Sequence, residues 1–335
     1  MRNQRMTRYL ALLVGAVLAA GPWASAWAAK MPKPAGFPER PITIIVPYGA
    51  GGGSDQLTRA MASALEKVVG VPVTVVNKPG GGGRAAIPDF MAAPADGYTL
   101  MEHIDDSATL YASGKIRENP AKDWVPLVIA QITFSQIYVR PDDARFKDWE
   151  SFVSYAKANP RKVTIANVGA VGSMERVTML QLEKAFGFKT TQVSFDKPAE
   201  RYASLIGKHV DALFEQPGDV RRFLEAGEMK VILTIYPERP QAFAVVPSLT
   251  DIGLKWEPLL RWRGFFARKG VPGERLKYLE WAMGEAWKST DFQAFNKKKF
   301  MHLINSYRNT GDARKLIGEA IQSYRNVYKE IGLIK

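Results

Sequence analysis

One stretch limits what this chain can become. Ile42-Thr43-Ile44-Ile45-Val46 is an apolar run of the kind that forms a strand buried on both faces. Pro47-Tyr48-Gly49-Ala50-Gly51-Gly52-Gly53-Ser54-Asp55 follows it. From Gln56 to Val69, Leu57, Met61, Leu65 and Val68 recur at helical spacing. The order is therefore strand, glycine loop, helix. Glycines let the backbone turn sharply and bring its amides close to a ligand. The first amides of a helix have no internal partner, and the helix dipole adds partial positive charge. Such a loop suits a phosphate or a carboxylate. It also suits an ordinary turn with Ser54 or Asp55 as N-cap. Nucleotide fingerprints do not fit. Gly53 is followed by Ser54-Asp55 rather than Lys-Ser/Thr. The third glycine of a dinucleotide loop is missing, and Asp55 would repel a pyrophosphate. A small carboxylate held by backbone amides is the better match.

The first 28 residues look like a secretory signal. Arg2, Arg5 and Arg8 form its positive end, and Tyr9 to Ala20 an uncharged, mostly apolar run. That run is too short for a spanning helix of about 20 residues. Cleavage is expected after Ala28, with Ala26 as the second choice. Loss of three arginines takes the formal charge from +13 to +10. Lysines and arginines are scattered rather than striped, which argues against nucleic acid. The densest clusters, Lys297-Lys298-Lys299 and Arg261-Trp262-Arg263, are expected on solvated faces. There is no cysteine, hence no disulfide or thiolate chemistry. His103, His209 and His302 lack metal-ligand spacing, and no cofactor or metal is expected. Taking 28 from 335 leaves 307 residues, the size of two lobes.

The strand, loop, helix device repeats. Gly70 closes the first helix, and Val71 to Val76 is a second strand. Asn77-Lys78-Pro79 leads into Gly80 to Gly83 and a short helix near Arg84 to Met91. Tyr98 to Met101 is a third strand. Trp124 to Ala130 begins a crossing strand, and Phe134 to Val139 lies in a second lobe. Asp148 can cap a helix over Trp149 to Ala158. Val163 to Ala166, the turn Val168 to Ser173 and the helix Met174 to Phe186 repeat the opening device. Thr191 to Phe195 and Val210 to Phe214 are further strands, with a helix from Asp219 to Glu225. Val231 to Tyr236 crosses back, Leu259 to Ala267 adds a strand, and helices near Gly273 to Trp287 and Asp312 to Ile331 finish the chain. Alternating strands and helices imply parallel sheets, with ligands beyond the carboxyl ends of the strands.

Three motifs in order carry a resemblance. They are Pro38-Glu39-Arg40-Pro41-Ile42-Thr43 with Val46 to Asp55, then Val76-Asn77-Lys78-Pro79-Gly80-Gly81-Gly82-Gly83, then Asp96-Gly97-Tyr98-Thr99-Leu100. In these the chain resembles the extracytoplasmic receptors of tripartite tricarboxylate transporters, the Bug family. The resemblance implies an α/β, two-lobed periplasmic binding protein of the Venus-flytrap kind. Each lobe would be a mixed, mainly parallel sheet flanked by helices, with a two-strand hinge. It places lobe one at 29–125 and 237–335, and lobe two at 126–236. It implies no enzymatic activity, a small organic carboxylate as ligand, membrane transporter subunits as partners, and a monomer in the periplasm.

Carried over by motif, the gripping positions are Tyr48, Gly49, Ala50, Gly51, Gly52, Gly53, Ser54 and Asp55 from lobe one. Lobe two offers Gly169, Ala170, Val171, Gly172 and Ser173. Phe195, Glu215, Asp105 and Ser107 complete the expected site. Glu215 stands where the family more usually has aspartate, and Phe195-Asp196-Lys197-Pro198 where Pro-Tyr-Lys-Gly is common. His103-Ile104-Asp105-Asp106-Ser107 is more acidic than the resemblance implies. Two carboxylates near the cleft would repel a second ligand carboxylate and favour an amine, hydroxyls or a neutral far end; exposed acidic pairs otherwise face solvent. Arg263 could meet a distal anion, and Tyr48 could stack on an aromatic ligand. An exported hydrolase is the alternative, but neither Ser54 nor Ser173 lies in Gly-x-Ser-x-Gly. A ligand sensor without a transport role is another.

Overall fold

The computed structural model describes residues 31–169 and 172–335. The expected signal segment, Ala170 and Val171 lie outside the described residues. The chain opens with β1 (Ile42–Val46), α1 (Gly53–Val69), β2 (Val73–Asn77), α2 (Ile87–Ala92), β3 (Thr99–Ile104), α3 (Asp106–Ala112) and β4 (Trp124–Thr133). It continues with β5 (Ser135–Val139), α4 (Trp149–Ala158), β6 (Thr164–Asn167), α5 (Met174–Phe186), β7 (Thr191–Ser194), α6 (Pro198–Ile206), β8 (Ala212–Glu215), α7 (Arg221–Glu225) and β9 (Lys230–Ile235). It ends with β10 (Arg261–Arg268), α8 (Gly273–Lys288), α9 (Thr290–Lys298) and α10 (Thr310–Glu330).

Two five-stranded sheets result, ordered β2-β1-β3-β10-β4 and β7-β6-β8-β5-β9. Their logic is the same. Three strands run parallel, the middle one being the first in sequence, and an antiparallel strand follows at the side of the third. This is the mixed, mainly parallel sheet expected, twice over. The apolar run of β1 explains its central place: Ile42, Ile44, Ile45 and Val46 are all buried, which only an interior strand covered on both faces permits.

Local chemistry sets several boundaries. α4 starts at the expected capping box: Ser151 N–H donates to Asp148 and the Ser151 hydroxyl accepts from the Asp148 N–H. α1 and α5 both stop at a left-handed glycine, Gly70 and Gly187. Other boundaries move. β3 runs on to Ile104, so His103 lies within the sheet, not in a loop. Asp106 opens a helix, α3, that the sequence pattern hid. β4 pairs with β10 as far as Thr133, so the chain leaves the first sheet at Phe134 rather than near 125. β9 belongs to the second sheet, paired with β5, rather than crossing back. Among the described residues no helix is long and apolar enough to cross a membrane.

Candidate functional site

α1 and α5 begin at the ends of β1 and β6, one from each sheet. The N-cap of α1 is Gly52, in extended conformation, and no side chain caps it. Ser54 and Asp55, the caps that the alternative reading of an ordinary turn offered, lie inside the first turn. Asp55 instead ties the loop together: it accepts from Gly51 N–H (2.9 Å) and Asn77 Nδ2 (3.0 Å) and pairs with Arg59 (2.9 Å). Burial opposes its charge, but these donors hold its carboxyl below the ordinary range. Ser173 is the N-cap residue of α5, yet its hydroxyl donates to Val168 O (3.0 Å), so this N-terminus too has no side-chain cap.

The two turns face each other's lobe. A β-carbon at Gly52 would lie 2.5 Å from Pro198 of α6. One at Gly53 would fall inside Arg263 and Asp219. One at Gly169 would lie 3.2 Å from Asp106 Oδ2 of α3, across the crevice. Glycine is required here by close approach rather than by turn shape alone.

The crevice itself is lined by Tyr48, Gly52, Gly53, Ser54, Ile104 and Arg261 and Arg263 from the first lobe. Val168, Asp196, Pro198, Arg201, Glu215, Gln216 and Asp219 line it from the second. Only about 30 Å³ is free between them, room for one or two waters.

Charged side chains fill the rest. Arg261 and Arg263 alternate along β10, so both point off one face of the sheet. They are 1% and 3% exposed, which corrects the expectation of a solvated cluster. Arg261 pairs with Asp105 (2.6 Å) and, across the crevice, with Glu175 of α5. Arg263 pairs across the crevice with Asp219 and donates to Gln131 (3.1 Å). Arg201 of α6 pairs with Glu215, which also accepts from Tyr202 Oη (3.0 Å) and Gln216 N–H (3.0 Å). Tyr324 Oη donates to Asp105 Oδ2 (2.9 Å) and Tyr48 Oη to Asp106 Oδ2 (3.2 Å). Asp105 and Asp106 are buried, not solvent-facing. Two interlobe arginine–carboxylate pairs thus hold the lobes together.

Burial dominates the ionisation here. It pushes Asp106 well above the carboxylate range against the pull of Arg261, and Asp105 and Glu175 add like charge. Glu102, on β3 behind the crevice, has no exposed surface. Burial raises it to about 8, opposed by Arg263, the Ser54 hydroxyl and Arg261. Burial lowers His103 to about 4; its Nδ1 accepts from Ile104 N–H (2.9 Å), so the ring is neutral.

Of the expected site residues, the structure gathers Tyr48, Gly52, Gly53, Ser54 and Glu215 at the crevice. Gly49 lies against the Pro198 ring and the Lys197 backbone, and Ala50 and Gly51 are exposed. Gly172 sits under Tyr328, whose hydroxyl donates to its carbonyl. Ser107 is buried, donating to Ile104 O (2.9 Å), and Phe195 packs on a second-lobe apolar cluster. Arg201 and Asp219 carry no signal of a site in the sequence; the pattern puts Asp219 at the start of a helix, which begins instead at Arg221. The alternation of two arginines in an otherwise apolar strand was the available signal for Arg261 and Arg263. Neither glycine-loop serine hydrogen-bonds a histidine, and no metal-binding cluster occurs, among the described residues.

Two mixed sheets with a crevice at the carboxyl ends of their parallel strands give the two-lobed fold of periplasmic binding proteins. BugD, a periplasmic binding protein, superposes with a TM-score of 0.80 over 89% of this chain and 99% of its own, at 22% identity. MatC from Rhodopseudomonas palustris, solved with bound malate, gives 0.78 over 87% and 99%, at 24% identity. A Cupriavidus necator protein of the gbd 5′ region is 28% identical over 302 residues, 89% of this chain and 90% of that one. The family model described as the tripartite tricarboxylate transporter family receptor matches residues 57–333, and the chain belongs to that family. Its members are solute-binding receptors rather than enzymes.

Proposed function

We propose that this receptor is exported, captures a small organic acid between its lobes and hands it to a tripartite membrane transporter. The observation that carries this is the N-terminus of α1, which has no side-chain cap and whose Gly52, Gly53 and Ser54 line the crevice; the N-terminus of α5, also without a side-chain cap, starts from the second sheet, and its Glu175 pairs with Arg261. The free amides of a helix's first turn and the positive end of its dipole favour an anion there. Each amide-to-carboxylate bond contributes about 1.5–3 kcal/mol, so a few supply roughly micromolar affinity after association costs. MatC, with malate bound, is a precedent for the chemistry in this fold.

Entry needs more than the free 30 Å³. Parting Arg261 from Glu175 and Arg263 from Asp219 separates the lobes and releases the space. A ligand carboxylate then takes over partners that the protein's own carboxylates now satisfy. Lobe one comprises the first sheet with α1 to α3 and α8 to α10, and lobe two the second sheet with α4 to α7.

The test is a thermal-shift screen over malate, adipate, aromatic acids and amino acids, followed by titration calorimetry. A ligand bound only by the native state raises Tm by mass action. The expected result is a hit that Gly53→Ala weakens. No stabilisation by any acid, or wild-type affinity in Gly53→Ala, overturns the reading.

A further inference from the structure

We propose that a cationic groove beside α3, outside the ligand crevice, docks an acidic segment of the membrane transporter, and does so best when the lobes are closed. The inference rests on the receptor reading above and names the surface through which the receptor meets its partner.

The groove has a volume of about 500 Å³ and lies between the start of α2 and the turn that follows α3. Ile87, Pro88, Met91 and Ile116 form its apolar floor. Arg84, Lys115 and Arg117 stand around it, and Glu118 is the only acidic residue of its lining. None of these residues lines the crevice. Arg84 and Arg117 are exposed, and Lys115 is half-buried. A fourth cation comes from the second lobe. Arg176 sits in the first turn of α5 and donates to neutral partners, the Ser194 hydroxyl (3.2 Å) and the Gln192 carbonyl (3.5 Å). Its charge reaches the groove. Burial, then the like charges of Arg84 and Arg176, hold the Lys115 ammonium below its ordinary range, opposed by Asp106.

This arrangement works against the fold. Like charges repel, and a cation in a helix's first turn meets the positive end of the dipole. Arg84, Arg117 and Arg176 have no carboxylate partner among the described residues. An external anion relieves both penalties. A small anion would need the cations alone. The apolar floor calls for an occupant that also brings apolar surface, and a protein segment with carboxylate and aliphatic side chains supplies both.

Arg84, Lys115 and Arg117 belong to the first lobe, Arg176 to the second. Opening the crevice draws Arg176 away, and salt screens a charge beyond about 8–10 Å. The positive potential over the groove therefore rises on closure, the state in which a receptor carries its ligand. An acidic partner reads that state without touching the ligand.

The experiment is fluorescence anisotropy of a labelled peptide of alternating glutamate and leucine, titrated with the purified protein at low and at physiological salt. The same peptide with glutamine for glutamate, and vesicles of phosphatidylglycerol, are the comparison probes. The glutamate peptide should bind about tenfold or more tightly than the glutamine peptide. Arg84→Glu combined with Arg117→Glu, both at exposed positions, should weaken it tenfold or more, and Arg176→Gln about threefold. The open variant Glu175→Gln with Asp219→Asn should weaken it as Arg176→Gln does. Absence of peptide binding overturns the inference, as does equal binding of the two peptides or wild-type affinity in the Arg84 and Arg117 variant. Wild-type affinity in both Arg176→Gln and the open variant overturns the dependence on closure. Binding to the vesicles but not to the peptide would assign the groove to a lipid surface and equally overturn it. Acids that raise Tm should do so undiminished in the Arg84 and Arg117 variant, so a failed docking surface leaves the receptor reading standing, and a failed acid screen leaves the peptide result readable.

Discussion

Glu102 offers the most direct check on the buried charge. Its carboxyl has no exposed surface and is raised from 4.5 to about 8 by burial. A carboxyl whose folded pKa lies above its unfolded value is protonated in the native state while the unfolded chain has already lost the proton. Native protein therefore binds more protons between pH 4.5 and 8, and stability falls as pH rises through that window. The slope is about 1.4 kcal/mol per pH unit. Over the interval from pH 6.5 to 8 this is roughly 2 kcal/mol. His103 acts in the opposite sense. Its folded pKa is lowered from 6.5 to about 4, so it costs stability as pH falls below 6.5. Between 4.5 and 6.5 the two slopes oppose, which would mask Glu102 in the wild type alone. Glu102→Gln keeps the shape and removes the titration. Urea unfolding of both proteins at pH 5, 6, 7 and 8 isolates the difference, because His103 contributes equally to each. The wild type should lose about 4 kcal/mol relative to Glu102→Gln across that range. Parallel stability curves would show that Glu102 titrates like an exposed carboxyl, and the account of a sealed, acid-rich crevice would be wrong.

Other consequences can be measured together. Arg261→Met should destabilise by about 3–5 kcal/mol, because it leaves Asp105 and Glu175 buried without a counter-charge; chemical unfolding reads this, and a loss below about 1 kcal/mol would contradict the burial. The double variant Glu175→Gln and Asp219→Asn removes both interlobe charge pairs, so small-angle scattering of the unliganded protein should show a larger radius of gyration than wild type. Gly52→Val puts a β-carbon 2.5 Å from Pro198 and should hold the lobes apart, abolishing ligand-induced stabilisation while each sheet stays folded by circular dichroism. Tyr324→Phe deletes one hydrogen bond to a buried carboxylate and should cost about 1.5–3 kcal/mol by the same unfolding assay.

The sequence by itself determined what local pattern can encode. β1 and α5 occupy the ranges their apolar spacing marks, and α4 starts at the capping box that Asp148 announces. Three glycine motifs in order brought the family and its two-lobed fold into view. Each of those signals is complete within a score of residues, because strands, turns and helix caps are made by neighbours in the chain. The crevice was decided elsewhere. Asp105, Glu175, Asp219, Gln131 and the two arginines of β10 meet across separations of 44 to 156 residues. Whether an arginine is solvated or sealed depends on what the other lobe places opposite it. A run such as Arg261-Trp262-Arg263 reads alike in either case, and only closure of one sheet against the other turned a surface pattern into a buried ion-pair network.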